Sequence, residues 1–146
     1  MQTPSSILLI DDSPGECELF RLALKQTGLD VALYAEQDTE AVFHFLEDRA
    51  LHPPLPTLVL LDLHLRGENG CDFLRRLRAD ARFAAIPVVI FTTSDDQHDV
   101  ARCYASGANG YVVKPGTFAE LIQCTGDLCR FWLDRNRVPS MIGTPC

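Results

Sequence analysis

Five side chains stand where strands end, and their types suit one another chemically. Asp11 and Asp12 close the apolar run that starts at Ser6, Asp62 closes Thr57-Leu58-Val59-Leu60-Leu61, Thr92 ends Val88-Val89-Ile90-Phe91, and Lys114 follows Gly110-Tyr111-Val112-Val113. Three carboxylates within a few ångströms repel one another by about 4 kcal/mol per pair at 4 Å and an effective dielectric near 20. A lysine and a divalent cation relieve that repulsion. Lys114 supplies the first, and an oxygen-only donor set suits Mg²⁺, which keeps several waters and accepts phosphate oxygens. A carboxylate beside Mg²⁺, with a hydroxyl and an ammonium opposite, is what phosphoryl transfer to an aspartate requires. The ionised carboxylate attacks without a general base.

That chemistry needs elements that bring the strand ends together. The runs Ser6 to Ile10 and Thr57 to Leu61 are continuously apolar and short, the mark of strands buried on both faces of a parallel sheet. Ile86 to Thr92 and Gly110 to Val113 read as a fourth and a fifth strand, and Asp30 to Ala35 as a short second one. Ser13, Pro14 and Glu16 form a capping box with proline at the first helical position. They predict a helix from about Pro14 to Gln26, with Leu19, Leu22, Ala23 and Gln26 facing inward and Gly28 as its stop. The Asp38 region caps a second helix with Ala41, Val42, Phe45 and Leu46 on its stripe. After the loop His64 to Gly70 comes a third, with Phe73, Leu74 and Leu77 inward, closing near Asp80 with Phe83 as anchor. Asp95 or Asp96 caps a fourth, ended by Gly107. Thr117 and Glu120 cap a fifth, whose stripe runs through Phe118, Leu121, Ile122, Thr125, Cys129, Trp132 and Leu133.

Strand and helix alternate five times, and right-handed crossovers place helices on both faces. The expected fold is α/β, a doubly wound five-stranded parallel sheet of flavodoxin-like order 2-1-3-4-5. Its switch point, between strands 1 and 3, gathers Asp11, Asp12 and Asp62.

With 146 residues, 47% of them apolar, the chain fits one domain, expected over residues 6–135 with a tail at 136–146 that is loose or held by a partner. A net charge of -7 argues against nonspecific nucleic-acid binding. No apolar run reaches membrane-spanning length and Met1-Gln2-Thr3-Pro4 shows no export pattern, so a cytoplasmic protein is expected. Cys17, Cys71, Cys103, Cys124, Cys129 and Cys146 show neither CxxC nor paired metal spacing and read as free thiols, mostly buried. His44, His52 and His98 read as surface residues without function.

The stretches Ile7 to Asp12, Leu60-Leu61-Asp62-Leu63, Phe91-Thr92-Thr93 and Gly107-Ala108-Asn109-Gly110-Tyr111-Val112-Val113-Lys114-Pro115 resemble the receiver domain of bacterial response regulators. The resemblance covers about residues 6 to 133, with the four stretches in the family's order and spacing. The opening Ile-Asp-Asp-Ser-Pro-Gly-Glu and the long connection from Arg49 to Pro56 look most like the single-domain regulators of bacterial phytochrome kinases. The resemblance implies a phosphoacceptor at Asp62, and Mg²⁺ held by Asp12, Asp62 and the His64 backbone carbonyl with Asp11 nearby. It implies Thr92 and Lys114 on the phosphoryl group, Tyr111 as an aromatic switch, and a cis Lys114–Pro115 bond. Thr93 rivals Thr92 for the hydroxyl role, and the ungapped spacing to Lys114 favours Thr92.

Arg66, where the family commonly has proline, suggests a more mobile acceptor loop, and Gly116 after Pro115 suggests a looser start to the last helix. His64 and Ser94, two residues past the acceptor and the hydroxyl, are expected to govern phosphate lifetime. The implied protein is no enzyme in the ordinary sense. It accepts a phosphoryl group from a histidine kinase, bacteriophytochrome-type by resemblance, promotes its own Mg²⁺-dependent phosphorylation and dephosphorylation, and signals to a downstream protein. A homodimer through the last helix and tail is expected from Phe131, Trp132 and Leu133, with Trp132 left exposed beyond the sheet. Two alternatives stand beside this. A pseudo-receiver would bind protein without phosphorylation, against which the complete acid, hydroxyl and lysine positions argue. A phosphoaspartate hydrolase would typically carry a second acid where His64 stands.

Overall fold

The computed structural model describes residues 5–139. Met1 to Pro4, the tail beyond Pro139 and Cys146 lie outside them. Its main sheet holds five parallel strands, β1 (Ser6–Ile10), β2 (Ala32–Glu36), β3 (Leu58–Leu61), β6 (Val88–Thr92) and β7 (Gly110–Val113), in the order β2-β1-β3-β6-β7. This is the expected 2-1-3-4-5 order, since the strands numbered between β3 and β6 belong to a separate small hairpin. β1, β3 and β6 are buried along their whole length. Successive side chains alternate between two cores. Leu8, Ile10, Val59, Leu61, Val88 and Ile90 face α2 (Thr39–Leu51), α3 (Gly70–Ala79) and α4 (Gln97–Ala105). Ile7, Leu9, Leu58, Leu60, Val89 and Phe91 face α1 (Pro14–Thr27) and α5 (Phe118–Cys129). Both faces are covered, which is why continuous apolar runs form these strands.

The helix starts follow the sequence signals. Ser13, Asp38, Asp96 and Thr117 each accept a hydrogen bond from a first-turn amide of the helix that follows. Gly28 ends α1 in the left-handed conformation, at φ 73°. Phe73, Leu74 and Leu77 are buried on α3, and Phe83 anchors the connection beyond it.

Several expectations need correction. On α1 the buried face is Cys17, Phe20, Ala23 and Leu24, while Leu19 and Leu22 are exposed. The helix is apolar on two stripes, and contact with the sheet and α5 selects the stripe carrying Phe20. The loop after Asp62 contains a two-stranded hairpin, β4 (His64–Leu65) and β5 (Glu68–Asn69), turned by Gly67 at φ 75°. The Lys114–Pro115 bond is trans, the isomer most X–Pro bonds prefer, and the cis bond among the described residues is Pro53–Pro54. The Lys114 amide still donates to the Thr92 carbonyl at 2.7 Å, extending the β6–β7 ladder to the lysine. The last helix passes into a π-helical turn, Arg130–Arg135, and there Trp132 is half-buried, packed against the core on the α1 and α5 face of the sheet. Its neighbour Phe131 is the exposed aromatic.

Candidate functional site

The ladder carries the acids into place. The Asp62 amide donates to the Ile10 carbonyl at 2.9 Å and the Asp11 amide to the Glu36 carbonyl at 3.1 Å, so both residues continue strand pairing past the last strand residue. Asp11, Asp12 and Asp62 thereby place carboxylate oxygens within 4.8 Å of one another. Asp11 and Asp62 are buried and Asp12 half-buried.

Lys114 closes the cluster from β7. Its Nζ lies 2.7 Å from Asp11 Oδ2, 3.3 Å from Asp62 Oδ2 and 3.8 Å from the exposed Glu16. Burial by itself would lower the lysine's pKa, but the hydrogen bond to Asp11 and the charges of Asp62, Asp11 and Glu16 outweigh it and hold the ammonium above its ordinary value. Asp62 Oδ1 accepts from the Leu63 amide at 2.7 Å, and the His64 amide stands 3.5 Å away. Asp11 Oδ1 accepts from the Ser13 amide at 2.9 Å. Glu16, the acid of the α1 capping box, lies within ion-pair reach of Lys114.

Three carboxylates against one ammonium leave two negative charges uncompensated among these four residues. No ion pair reaches Asp12 among the described residues. An all-oxygen cluster with that residual charge fits a hard divalent cation, to which Asp11, Asp12 and Asp62 each offer a carboxylate oxygen, Asp11 and Asp62 while also pairing with Lys114.

Thr92 ends β6 fully buried, whereas Thr93 is exposed. Tyr111 is half-buried, and its hydroxyl donates to the Ser94 carbonyl at 2.8 Å. Burial raises its pKa despite that bond. Asp99, which the sequence reading missed, accepts the Ser94 hydroxyl at 2.6 Å. As the third residue of α4 it carries only the signal of a helix-start acid. His44, His52 and His98 are all exposed.

This arrangement has known counterparts. The chain is 31% identical over 139 residues to the response regulator Rcp1 of Synechocystis, covering 94% of this chain and 95% of that protein. It is 32% identical over 142 residues to a probable methanogenesis regulatory protein, FilR2, of Methanothrix harundinacea, covering 94% of this chain and 90% of that one. The crystal structure of the Mn²⁺-bound form of Rcp1 superposes with a TM-score of 0.80 at 31% identity, covering 94% of this chain and all of that one. The phosphorylated cyanobacterial phytochrome response regulator RcpA superposes with a TM-score of 0.84 at 26% identity, with the same coverage. The model of the response regulator receiver domain matches residues 7–125, and the chain belongs to that family.

Proposed function

We propose that this protein accepts a phosphoryl group on Asp62 from a phosphohistidine of a sensor kinase and thereby changes its contacts with other proteins. The observation that carries the reading is Lys114 Nζ lying between Asp11 and Asp62 at the end of the switch-point strands. The Asp62 carboxylate attacks phosphorus, the P–O bond forms as the P–N bond breaks, and the leaving imidazole keeps the electron pair. Asp11 fixes Lys114 where its ammonium offsets the charge of the equatorial oxygens, and the Thr92 hydroxyl donates to one of them. Asp12, Asp62 and the His64 carbonyl would hold Mg²⁺, which would supply positive charge to offset that of the phosphoryl oxygens. Tyr111 packs behind the Thr92 loop as the readout of phosphorylation. His64 and Ser94, two residues past Asp62 and Thr92, tune how long the phosphoryl group survives.

The likeness to RcpA and Rcp1 supports a phytochrome-type histidine kinase as the donor, and the exposed Phe131 supports a homodimer through the last helix and tail. The test is intact mass after incubation with a small phosphodonor and Mg²⁺. One added phosphoryl group on the wild type is expected, and none on Asp62→Asn or after chelation. No adduct on folded wild type, with the donor active on a known receiver, would leave the protein as an unphosphorylated binding module.

A further inference from the structure

Ser94 is tied at every polar atom. Its amide approaches Thr92 Oγ1 at 3.5 Å, its carbonyl accepts from the Tyr111 hydroxyl at 2.8 Å, and its hydroxyl donates to Asp99 Oδ2 at 2.6 Å. The same hydroxyl oxygen accepts from the Asp96 amide at 3.3 Å. A serine hydroxyl has a single proton to give. While Asp99 takes it, Ser94 has none for a water or a phosphoryl oxygen, and it acts instead as a brace between β6 and α4. Asp96, not Asp99, bonds the His98 amide to cap α4, so the Asp99 carboxylate is directed to Ser94 rather than to the helix start.

We propose that Asp99 is a positioning residue that sets the lifetime of the phosphoryl group on Asp62 by holding the Ser94 hydroxyl. The inference rests on the function proposed above. In the hydrolysis concerned, a water oxygen bonds to phosphorus and the P–O bond to Asp62 breaks. The electron pair returns to the carboxylate, and inorganic phosphate and a proton leave. With Asp99 in place the Ser94 proton is withheld from that water, and the Thr92–Ser94 turn is fixed against Tyr111. Loss of the Asp99 carboxylate frees the proton to orient the water and speeds hydrolysis.

The experiment phosphorylates the full chain with a small phosphodonor and Mg²⁺, removes the donor, and follows decay by intact mass. Asp99→Ala is expected to lose the phosphoryl group at least threefold faster than wild type. Asp99→Asn keeps an oxygen that can accept from Ser94 while removing the charge, and should decay within twofold of wild type, which separates the hydrogen bond from the charge. On a Ser94→Ala background, Asp99→Ala should add nothing. A second readout uses unphosphorylated protein: the Ser94 and Asp96 amide resonances shift in Asp99→Ala and return in Asp99→Asn. Unchanged decay or unmoved resonances in Asp99→Ala, or acceleration that persists without the Ser94 hydroxyl, overturns the proposal. A wild type that takes no phosphoryl group overturns this proposal and the proposed function together; a labelled wild type with an indifferent Asp99→Ala overturns this one alone.

Discussion

Lys114 and Asp11 form an ion pair whose side chains are 9% and 2% exposed, with Asp62 10% exposed beside them. Removing one member of a buried pair leaves an uncompensated charge and costs about 3–5 kcal/mol. Lys114→Ala is therefore expected to lower stability by that order at pH 7, measured by urea unfolding, with part of the loss recovered on adding Mg²⁺. The pH dependence follows from the raised pKa. The folded state holds the lysine proton more tightly than the unfolded chain, so its contribution is complete below the ordinary lysine value of 10.5 and is lost as pH rises through the higher folded value. The urea midpoint of wild type should fall in that alkaline window more steeply than that of Lys114→Met. That Asp62 and Lys114 come together was readable from sequence because each ends or follows an apolar run, and a strand end has one place to go. Asp99 was not, because its partner Ser94 lies in a loop whose path no periodicity describes.

Gly70 shows a different limit of sequence reading. Its type and place suggest an ordinary turn, yet a Cβ there would lie 2.6 Å from the Asp62 carbonyl oxygen and 2.9 Å from the Leu63 Cα. The start of α3 is pressed directly under the backbone of Asp62, and the Gly70 amide donates to the Leu63 carbonyl at 2.9 Å. Gly70→Ala should cost about 1–3 kcal/mol, as overpacking does, and slow phosphorylation of Asp62 in the mass assay. One residue on, Cys71 Sγ lies 3.4 Å from Cys103 Sγ of α4, both buried. Burial, helped by Cys71, pushes the Cys103 thiol up to about 12. A thiol held protonated and out of water is a poor nucleophile. The expectation is that a bulky thiol reagent labels half-buried Cys124 well before Cys71 or Cys103 in the native protein, followed by peptide mass. The α1 stripe was misread for a related reason: hydrophobic period identifies a helix but does not choose between two apolar faces, and only the sheet and α5 make Phe20 the inner one.

For the molecule as a whole, two-sided burial of the sheet followed from alternation and handedness, and the order 2-1-3-4-5 is one of the common doubly wound orders. The hairpin in the loop after Asp62 did not follow, since pairs of two residues carry no periodic signal. Among the described residues no helix is long and apolar enough to cross a membrane. At the far end of α5, Phe131 is 52% exposed and packs edge-on to Trp132 with ring centroids 5.0 Å apart. If that aromatic edge is where two copies meet, Phe131→Asp should shift sedimentation towards the monomer while changing monomer stability by no more than about 0.5 kcal/mol, the usual range for a surface substitution.

The separation of Lys114 from its partners along the chain has a consequence for synthesis. Lys114 lies 103 residues after Asp11 and 52 after Asp62. At about 5–20 residues per second, roughly 3–10 s pass between the emergence of Asp62 and that of Lys114 from the ribosome. During that interval β1 and β3, the adjacent central strands, are both available to pair, but pairing brings Asp11, Asp12 and Asp62 together with no ammonium among them. The emerging polypeptide meets the site's repulsion before it owns the site's counter-charge. A divalent ion in the surrounding solution can serve as the earlier substitute, so the cation that suits the finished site also suits the half-made one.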